Sequence, residues 1–344
     1  MSTSQAILPC LLVTALSLTS ANAAELTGAG ASLPAPVYQK WSEAYRNATN
    51  NTINYQSIGS GGGIKEASGK SIDFGATDIP LSSADLQKHK LVQFPALIGG
   101  AVPIVNLPGI KSGEVRLNAQ VLGDIYLGKI TRWNDPAIRA LNSTRLPDLS
   151  IAVVHRGDGA GTTWVFTDYL SKAHPQWQAK VGSGTTVTWP LGLHAKGDEG
   201  MTGFVKKLPG AIGYVDFAWA RKNQLDVVQM QNKAGNFVAP EDANLKAAAA
   251  EAGWEAAEFG AMLTDLPARN AWPITGATFI VMQRQTDKPA VAKDALQFFK
   301  WALKNGYAQV ESNGYVPLPE RTVEAVMTSW QRITDTNGKP VLSN

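Results

Sequence analysis

The stretch from Val153 to Thr163 constrains the fold of this chain more than any other. A β-branched run ends at Arg156, passes through a glycine-rich turn over residues 157–161 and continues into a helical pattern. The first N–H groups of a helix have no partner inside the helix and carry partial positive charge. Glycine lets such a backbone come close to a ligand, and a guanidinium binds oxyanions strongly. The stretch therefore predicts a strand, a turn and a helix that together bind an anion.

Strand-like and helix-like runs alternate from residue 24 to the end of the chain. The sequence predicts strands at residues 53–57, 72–75, 96–106 and 150–155. Helical patterns follow Pro34, Ser82, Asn118, Pro136, Gly161 and Gly200, and others cover residues 244–259, 289–304 and 319–333. This alternation is typical of an α/β fold with largely parallel sheets.

Two apolar runs indicate how the chain is divided. With 344 residues the chain is long enough for two domains. Residues 94–102 and 271–280 are apolar with central glycines, as in strands that cross between two lobes and bend there. Two ordinary core strands would have the same composition, so both interpretations stay open at this point.

The N-terminus has the composition of a secretory signal peptide, which we place at residues 1–23. An apolar run from Ala6 to Leu18 precedes a small-x-small cleavage pattern at residues 21–23. The run is shorter than the roughly 20 residues that a membrane anchor needs. We therefore expect a cleaved signal and an exported protein. Cys10 is the single cysteine and lies in this segment, so the exported chain would have neither a disulfide nor a thiol nucleophile.

Composition and missing motifs exclude several function classes. The net charge is +3 and the chain has no long Lys/Arg run, which argues against nucleic-acid binding. We find no HExxH, GxSxG or Walker A motif, and the four histidines are scattered. We therefore expect no enzyme activity, no metal and no cofactor.

Two further glycine- and hydroxyl-rich turns precede helical patterns. Ser32 lies in the first turn, where a helix N-cap is expected, and Ser60 lies in the second, residues 59–63. The structural alternatives are a simple helix cap for the first and a flexible hairpin loop for the second. Loops at the carboxyl ends of parallel strands are where α/β proteins bind ligands. If the three turns converge, the hydroxyls of Ser32, Ser60 and Thr162 form part of an oxyanion cage.

Two aspartates have distinct expected roles in such a cage. Asp78 ends an apolar strand, and it either caps the following turn or lies in the ligand cleft. A buried carboxylate would accept a hydrogen bond from protonated phosphate and repel sulfate, which carries no proton at neutral pH. Asp158 is two residues from Arg156 and is expected to orient and partly neutralise its guanidinium.

These motifs resemble the periplasmic phosphate-binding proteins of Pst-type ABC transporters. The resemblance is carried in order by residues 27–38, 59–63, 73–78, 123–130, 156–162, 208–214 and 271–275. It implies an α/β protein of the type II periplasmic binding class, with two α/β lobes joined by two crossover strands and the ligand cleft between them. The lobes would be residues 24–100 plus 275–344 (lobe I) and residues 101–274 (lobe II). It further implies a monomer that closes on inorganic phosphate and delivers it to membrane permease subunits of the transporter.

The resemblance also implies a role for each residue of the expected site. Arg156 would be the ionic partner, Asp78 would accept the phosphate proton, and Asp158 would pair with the arginine. Ser32 replaces a threonine of the family and keeps its hydroxyl, whereas Ala160 replaces a serine and keeps only its backbone N–H. The expected phosphate ligands and their supporting residues are Ser32, Leu33, Ser60, Asp78, Arg156, Asp158, Ala160, Gly161 and Thr162.

Two other functions remain open on the sequence. An anion cage beside serine and aspartate side chains could belong to a phosphate-ester hydrolase. The same fold could also carry a phosphate-linked adhesion or signalling role, because fold does not determine function.

Overall fold

The computed structural model describes residues 24–254 and 256–342, so the predicted signal peptide, residues 1–23, lies outside the described residues. The strands of this part are β1 (Glu25–Gly30), β2 (Thr52–Ser57), β3 (Phe74–Thr77), β4 (Leu91–Val105), β5 (Arg116–Leu117), β6 (Ala152–Arg156), β7 (Leu193–Ala195), β8 (Ala211–Asp216), β9 (Gln229–Gln231), β10 (Phe237–Val238) and β11 (Thr275–Gln283). The α-helices are α1 (Ala35–Thr49), α2 (Ser60–Ser68), α3 (Ser83–His89), α4 (Ala119–Tyr126), α5 (Pro136–Arg139), α6 (Gly161–Ala173), α7 (Pro175–Lys180), α8 (Gly197–Lys207), α9 (Phe217–Lys222), α10 (Asp242–Ala250), α11 (Pro289–Asn305), α12 (Tyr307–Ser312) and α13 (Glu320–Ser329). Short 3-10 helices cover Ala256–Phe259 and Trp330–Arg332.

The main sheet is mixed rather than largely parallel. Its strand order is β2-β1-β3-β11-β4-β8-β6-β7, and a small second sheet has the order β10-β9-β5. The pairs at both ends of the main sheet are parallel, whereas β3–β11, β11–β4 and β4–β8 are antiparallel. The expectation of largely parallel sheets is therefore wrong for the centre. The parallel strands of one half run in the opposite direction to those of the other half. A strand that crosses from one half to the other is therefore antiparallel to the strands of one of them.

Strand β4 makes this crossing and is buried along its whole length. Residues 91–100 pair with β11, and residues 101–105 pair with β8. At the change of partner a side chain on Gly100 would lie 2.7 Å from Ile274 O, and the N–H of Ala101 donates to that oxygen at 3.0 Å. On this basis we propose lobe I as residues 24–100 plus 275–344 and lobe II as residues 101–274.

Aromatic side chains fill the core on both sides of the crossing. Phe299 packs edge-on against Phe74 and Phe94 in the proposed lobe I. Phe166 stacks on Tyr214 with ring centroids 4.3 Å apart in the proposed lobe II. Burying one such side chain contributes roughly 1.5–3 kcal/mol, so each half has a core that holds its strands and their connecting loops in place.

Most predicted helices form, and their ends have local causes. Ser82 caps α3 by accepting from the N–H of Asp85 at 3.1 Å, as the capping-box spacing predicts. The helix predicted at residues 244–259 is wrong in length, because α10 ends at Ala250. The chain turns there, and the N–H of Trp254 donates to the carbonyl oxygen of Ala252 at 2.8 Å. Within the part of the chain described, every helix is too short or too polar to cross a bilayer.

Candidate anion-binding site

The loops that follow β1, β2, β3, β6, β7 and β8 meet in one cleft with a volume of about 570 Å³. Each of these loops leaves the carboxyl end of its strand, so the strand order decides which loops meet. The cleft is lined by all nine residues of the expected site: Ser32, Leu33, Ser60, Asp78, Arg156, Asp158, Ala160, Gly161 and Thr162.

Ser32 lies exposed on the wall that the proposed lobe I contributes to the cleft, and it does not cap a helix. The N-cap of α1 is Pro34, and no side chain caps this helix end. Two residues separate Ser32 from α1, so its hydroxyl is too far from the first free N–H groups of the helix. The Ser32 Oγ accepts instead from Ser57 Oγ at 2.6 Å. The helix-cap alternative is therefore wrong, and this hydroxyl stays at the cleft surface.

Ser60 is the first residue of α2 and is buried. Its Oγ accepts from the backbone N–H of Asp78 at 3.0 Å, which ties the second turn to the end of β3. The glycines in this turn are needed for close packing, because a side chain on Gly63 would lie 2.6 Å from Ala76 O. The flexible-hairpin alternative is therefore wrong: the turn opens a packed helix.

Asp78 lies where the two proposed lobes touch and is 3% exposed. Thr278 Oγ1 donates to Asp78 Oδ1 at 2.8 Å. The other oxygen, Oδ2, faces Gly161 so closely that any side chain at Gly161 would overlap it. Burial raises the pKa of Asp78 to about 7, although hydrogen bonds from Thr278 and Ser60 act in the opposite direction. Asp78 can therefore exchange a proton near neutral pH.

Arg156 is held by two carboxylates. Its Nε and Nη2 donate to the two oxygens of Asp158 at 2.8 and 2.6 Å, and its Nη1 donates to Asp198 Oδ1 at 3.0 Å. Partial burial raises the pKa of Asp158, but the hydrogen bonds and charge of Arg156 outweigh burial and hold it below its ordinary value. A guanidinium has five N–H donors, so Nη1 and Nη2 each keep one for a ligand.

Residues 160–162 bring the start of α6 to the cleft. Ala160 is the N-cap and supplies no side-chain oxygen to the helix. Its N–H donates to the carbonyl oxygen of Thr185 at 3.0 Å, so the expectation that this N–H remains for a ligand does not hold in this structure. Gly161 and Thr162 are the first two helical residues, and their N–H groups have no partner within α6. Gly161 and Thr162 therefore keep backbone N–H groups that α6 itself does not use.

The cleft also contains polar residues that the sequence did not single out. Asp198 lies in the first turn of α8 after a short edge strand, Asp216 caps α9, and Tyr315 comes from the loop after α12. Asp216 repeats the pattern of an aspartate at the end of a strand, so the rule that found Asp78 could have found it. No local pattern marks Tyr315, because its partners lie far away in the sequence.

Net charge does not explain why this cleft would bind an anion. Its lining contains more acidic than basic side chains: Asp78, Asp158, Asp198, Glu199 and Asp216 against Arg156, Lys196 and Lys222. Attraction must therefore come from directed donors, namely free backbone N–H groups, hydroxyls and the two remaining N–H groups of Arg156. Among the residues that the structure describes, no group of three or more acidic, His or Cys side chains is placed to hold a metal ion.

Comparisons with known proteins agree on one family. The profile of the PBP superfamily domain matches residues 17–305. The phosphate-binding protein PstS of Pasteurella multocida (strain Pm70) is 46% identical over 340 residues, which covers 98% of each chain. PstS of Haemophilus influenzae is 47% identical over 313 residues and covers 90% of this chain and 94% of its own.

Solved structures share the fold at low sequence identity. A high-affinity periplasmic phosphate-binding protein (PfluDING) bound with phosphate superposes with a TM-score of 0.68 at 22% identity, covering 89% of this chain and 94% of its own. A phosphate-binding protein from Stenotrophomonas maltophilia gives a TM-score of 0.68 at 22% identity, covering 92% and 97%. The predicted type II periplasmic-binding-protein fold is thus confirmed. The chain belongs to the PBP superfamily and, within it, to the family of the PstS phosphate-binding proteins.

Proposed function

We propose that this protein binds inorganic phosphate in the cleft and delivers it to an ABC-type phosphate importer of the cell envelope. One observation carries the proposal: free helix N–H groups, hydroxyls and Arg156 converge on the same space as the buried carboxyl group of Asp78. The family relationship supports it, because the PstS relatives are named for phosphate binding.

The donors of the cleft suit a tetrahedral anion. Ser32, Ser60 and Thr162 offer hydroxyls, and Leu33, Gly161 and Thr162 offer backbone N–H groups from both walls. Arg156 adds two N–H groups with a positive charge that Asp158 and Asp198 partly neutralise. Binding would draw the two walls together, since neither wall holds enough donors alone.

Asp78 is the proposed selectivity residue. Inorganic phosphate keeps at least one proton near neutral pH, because its last proton leaves only in strongly alkaline solution. Ionised Asp78 can accept that proton in a hydrogen bond, whereas sulfate would place its own lone pairs against the carboxylate. A site built around one specific hydrogen bond rejects analogues that lack it by orders of magnitude.

The named relatives are binding proteins, which supports a binder over a hydrolase. His155, which directly precedes Arg156, also has a packing role. The His155 ring stacks on Trp189 with centroids 4.6 Å apart, and its Nδ1 lies 3.1 Å from the carbonyl oxygen of Arg156. His155 is therefore placed as a core side chain and not as a general base for a serine hydroxyl.

Calorimetric titration of the purified exported chain with phosphate and then sulfate tests the proposal. We expect stoichiometric phosphate binding and far weaker sulfate binding. Arg156→Lys should weaken phosphate binding roughly ten- to a hundredfold, because an ammonium cannot hold Asp158 at two points and also face the ligand. Arg132→Lys is the matched control, since exposed Arg132 pairs with Asp148 outside the cleft. Equal binding of both anions, or an unaffected Arg156→Lys protein, would refute the assignment.

Two further measurements separate the alternatives. The protein should release nothing from p-nitrophenyl phosphate; turnover that survives purification and is lost in Asp78→Asn would favour the hydrolase. For delivery, vesicles that contain the importer should accumulate phosphate only when the protein is added outside. For location, cell fractionation should recover a shortened chain beginning at Ala24 in the periplasm.

A further inference from the structure

Tyr315 is held firmly in the cleft, although it comes from a loop remote from the other site residues. It is 4% exposed, and its N–H donates to the carbonyl oxygen of Val310 at 3.0 Å. The next residue, Val316, exchanges two backbone hydrogen bonds of 2.9 Å with Ile98 on β4. The Tyr315 ring lies over Gly99, where an added Cβ would come within 3.3 Å of the ring. The direction of the Tyr315 side chain is therefore set by the crossing strand.

The hydroxyl of Tyr315 lies between two acceptors from different parts of the cleft. It is 2.5 Å from the carbonyl oxygen of Leu33 and 2.9 Å from Asp216 Oδ1. A hydroxyl has one proton, so the two acceptors share it. Tyr315 and Leu33 belong to the proposed lobe I, whereas Asp216 ends β8 in the proposed lobe II. This hydroxyl thus connects the two lobes directly.

Asp216 needs the hydrogen bond from Tyr315 more than an exposed carboxylate would, because little water can reach it. It is 3% exposed, and its Oδ1 caps α9 by accepting from the N–H groups of Ala218 and Trp219 at 3.0 and 3.3 Å. Its Oδ2 is buried with no hydrogen-bond partner among the described residues. One oxygen of this buried carboxylate already lacks a hydrogen-bond partner. Removing another donor would therefore leave more of its desolvation free energy uncompensated.

We propose that Tyr315 is a positioning residue that orients Leu33 for the anion and latches lobe I to lobe II through Asp216. The proposal rests on the phosphate-binding function in one respect only, namely that Leu33 supplies an N–H to the ligand. The Leu33 carbonyl and the Leu33 N–H lie in adjacent peptide planes that share the Leu33 Cα. Holding the carbonyl therefore anchors Leu33 and limits how far its N–H can move. The hydrogen bond from Tyr315 to Asp216 has a second effect: it stabilises the arrangement in which the two lobes are closed.

A double-mutant cycle on inorganic phosphate binding tests the latch. Tyr315→Phe keeps the ring and removes the hydroxyl. Asp216→Ser keeps an oxygen that can cap α9 but replaces the carboxylate that faces Tyr315 by a shorter, uncharged hydroxyl. We expect Tyr315→Phe to weaken phosphate binding about tenfold, chiefly through faster dissociation measured by stopped-flow tryptophan fluorescence. The double variant should lose no more than the worse single variant, because both remove the same interaction. Binding within twofold of the parent, or losses that simply multiply, would overturn the latch.

Tyr169→Phe is the matched control, because the Tyr169 hydroxyl is buried on α6 and has no hydrogen-bond partner among the described residues. It should leave phosphate affinity unchanged. Thermal unfolding of the ligand-free variants separates positioning from a general loss of structure. We expect Tyr315→Phe to change the dissociation rate far more than the Tm. A lower Tm with an unchanged dissociation rate would instead assign Tyr315 a purely structural role.

Lobe movement can be followed without any ligand, which keeps this test independent of the proposed function. The chain from Ala24 onward has no cysteine, so cysteines can replace exposed Lys88 and Lys180, one in each proposed lobe, for fluorescence energy transfer. Tyr315→Phe should shift the ligand-free distances toward a more open population. If the parent fails to bind phosphate, the proposed function fails while this readout still decides the latch. Identical distance distributions in both proteins would overturn it.

Discussion

Replacing Asp78 by asparagine should make the ligand-free protein less sensitive to pH. The pKa of Asp78 is about 7 in the folded protein because of burial, against an ordinary value of 3.8. Between these values the folded state holds a proton that the unfolded chain has released. Stability therefore falls as the pH rises toward 7, and above it the folded protein contains a buried charge. Asparagine has nearly the same shape and never carries that charge.

The magnitude follows from the two pKa values. At about 1.36 kcal/mol per pH unit, the full difference corresponds to about 4 kcal/mol, fully present only below pH 3.8. Between pH 5 and pH 8.5, ionisation of Asp78 removes about 3 kcal/mol of this stabilisation. Thr278 can still donate to the amide oxygen of asparagine, so its bond of 2.8 Å adds little pH dependence. The stability of Asp78→Asn relative to the parent should therefore rise by about 3 kcal/mol over this range.

The assay is urea unfolding of both proteins in phosphate-free buffer at pH 5, 7 and 8.5. Phosphate must be removed, since a ligand at a hundred times its Kd adds about 2.7 kcal/mol to the folded state. Asp148→Asn is the control, because Asp148 is exposed and its pairing with Arg132 should contribute little. A constant difference between Asp78→Asn and the parent at all three pH values would refute the reasoning, as would a variant that becomes relatively less stable at pH 8.5.

Other predictions concern the ligand and the start of α6. The preference for phosphate over sulfate should increase from pH 6 to pH 8.5, because protonated Asp78 can donate to sulfate and ionised Asp78 repels it; a flat ratio in competition calorimetry would contradict this. Ala160→Ser should stabilise the fold by about 1 kcal/mol in urea unfolding by capping α6, and should tighten phosphate binding about tenfold by titration; no change in either would contradict it. Gly161→Ala should abolish tight phosphate binding but leave the circular dichroism spectrum intact, since its Cβ would overlap Asp78 Oδ2. Gly203→Ala, where a Cβ meets nothing within 4 Å, should retain both, and normal binding by Gly161→Ala would exclude the close approach.

Local features of this chain could be predicted where neighbouring residues decide the conformation. The strand, turn and helix from Val153 onward were predicted, and the pairing of Arg156 with Asp158 spans only two residues. The resemblance to phosphate-binding proteins supplied the residues of the expected site, and the structure places them in one cleft. Errors arose where local signals were ambiguous, as at the end of α10 and at Ser32, which lies two residues too early to cap α1.

By itself the sequence determined which segments become strands, turns and helices, because hydrophobic periodicity and capping act between near neighbours. Only the tertiary structure decided which turns meet, since the order of strands in the sheet brings residues 32, 78 and 156 to one cleft. The tertiary structure also decided the proton affinity of Asp78 and the position of the Tyr315 hydroxyl, whose proton Leu33 and Asp216 share. Burial and hydrogen bonding at these atoms come from segments up to 282 residues apart, and no short-range pattern specifies them.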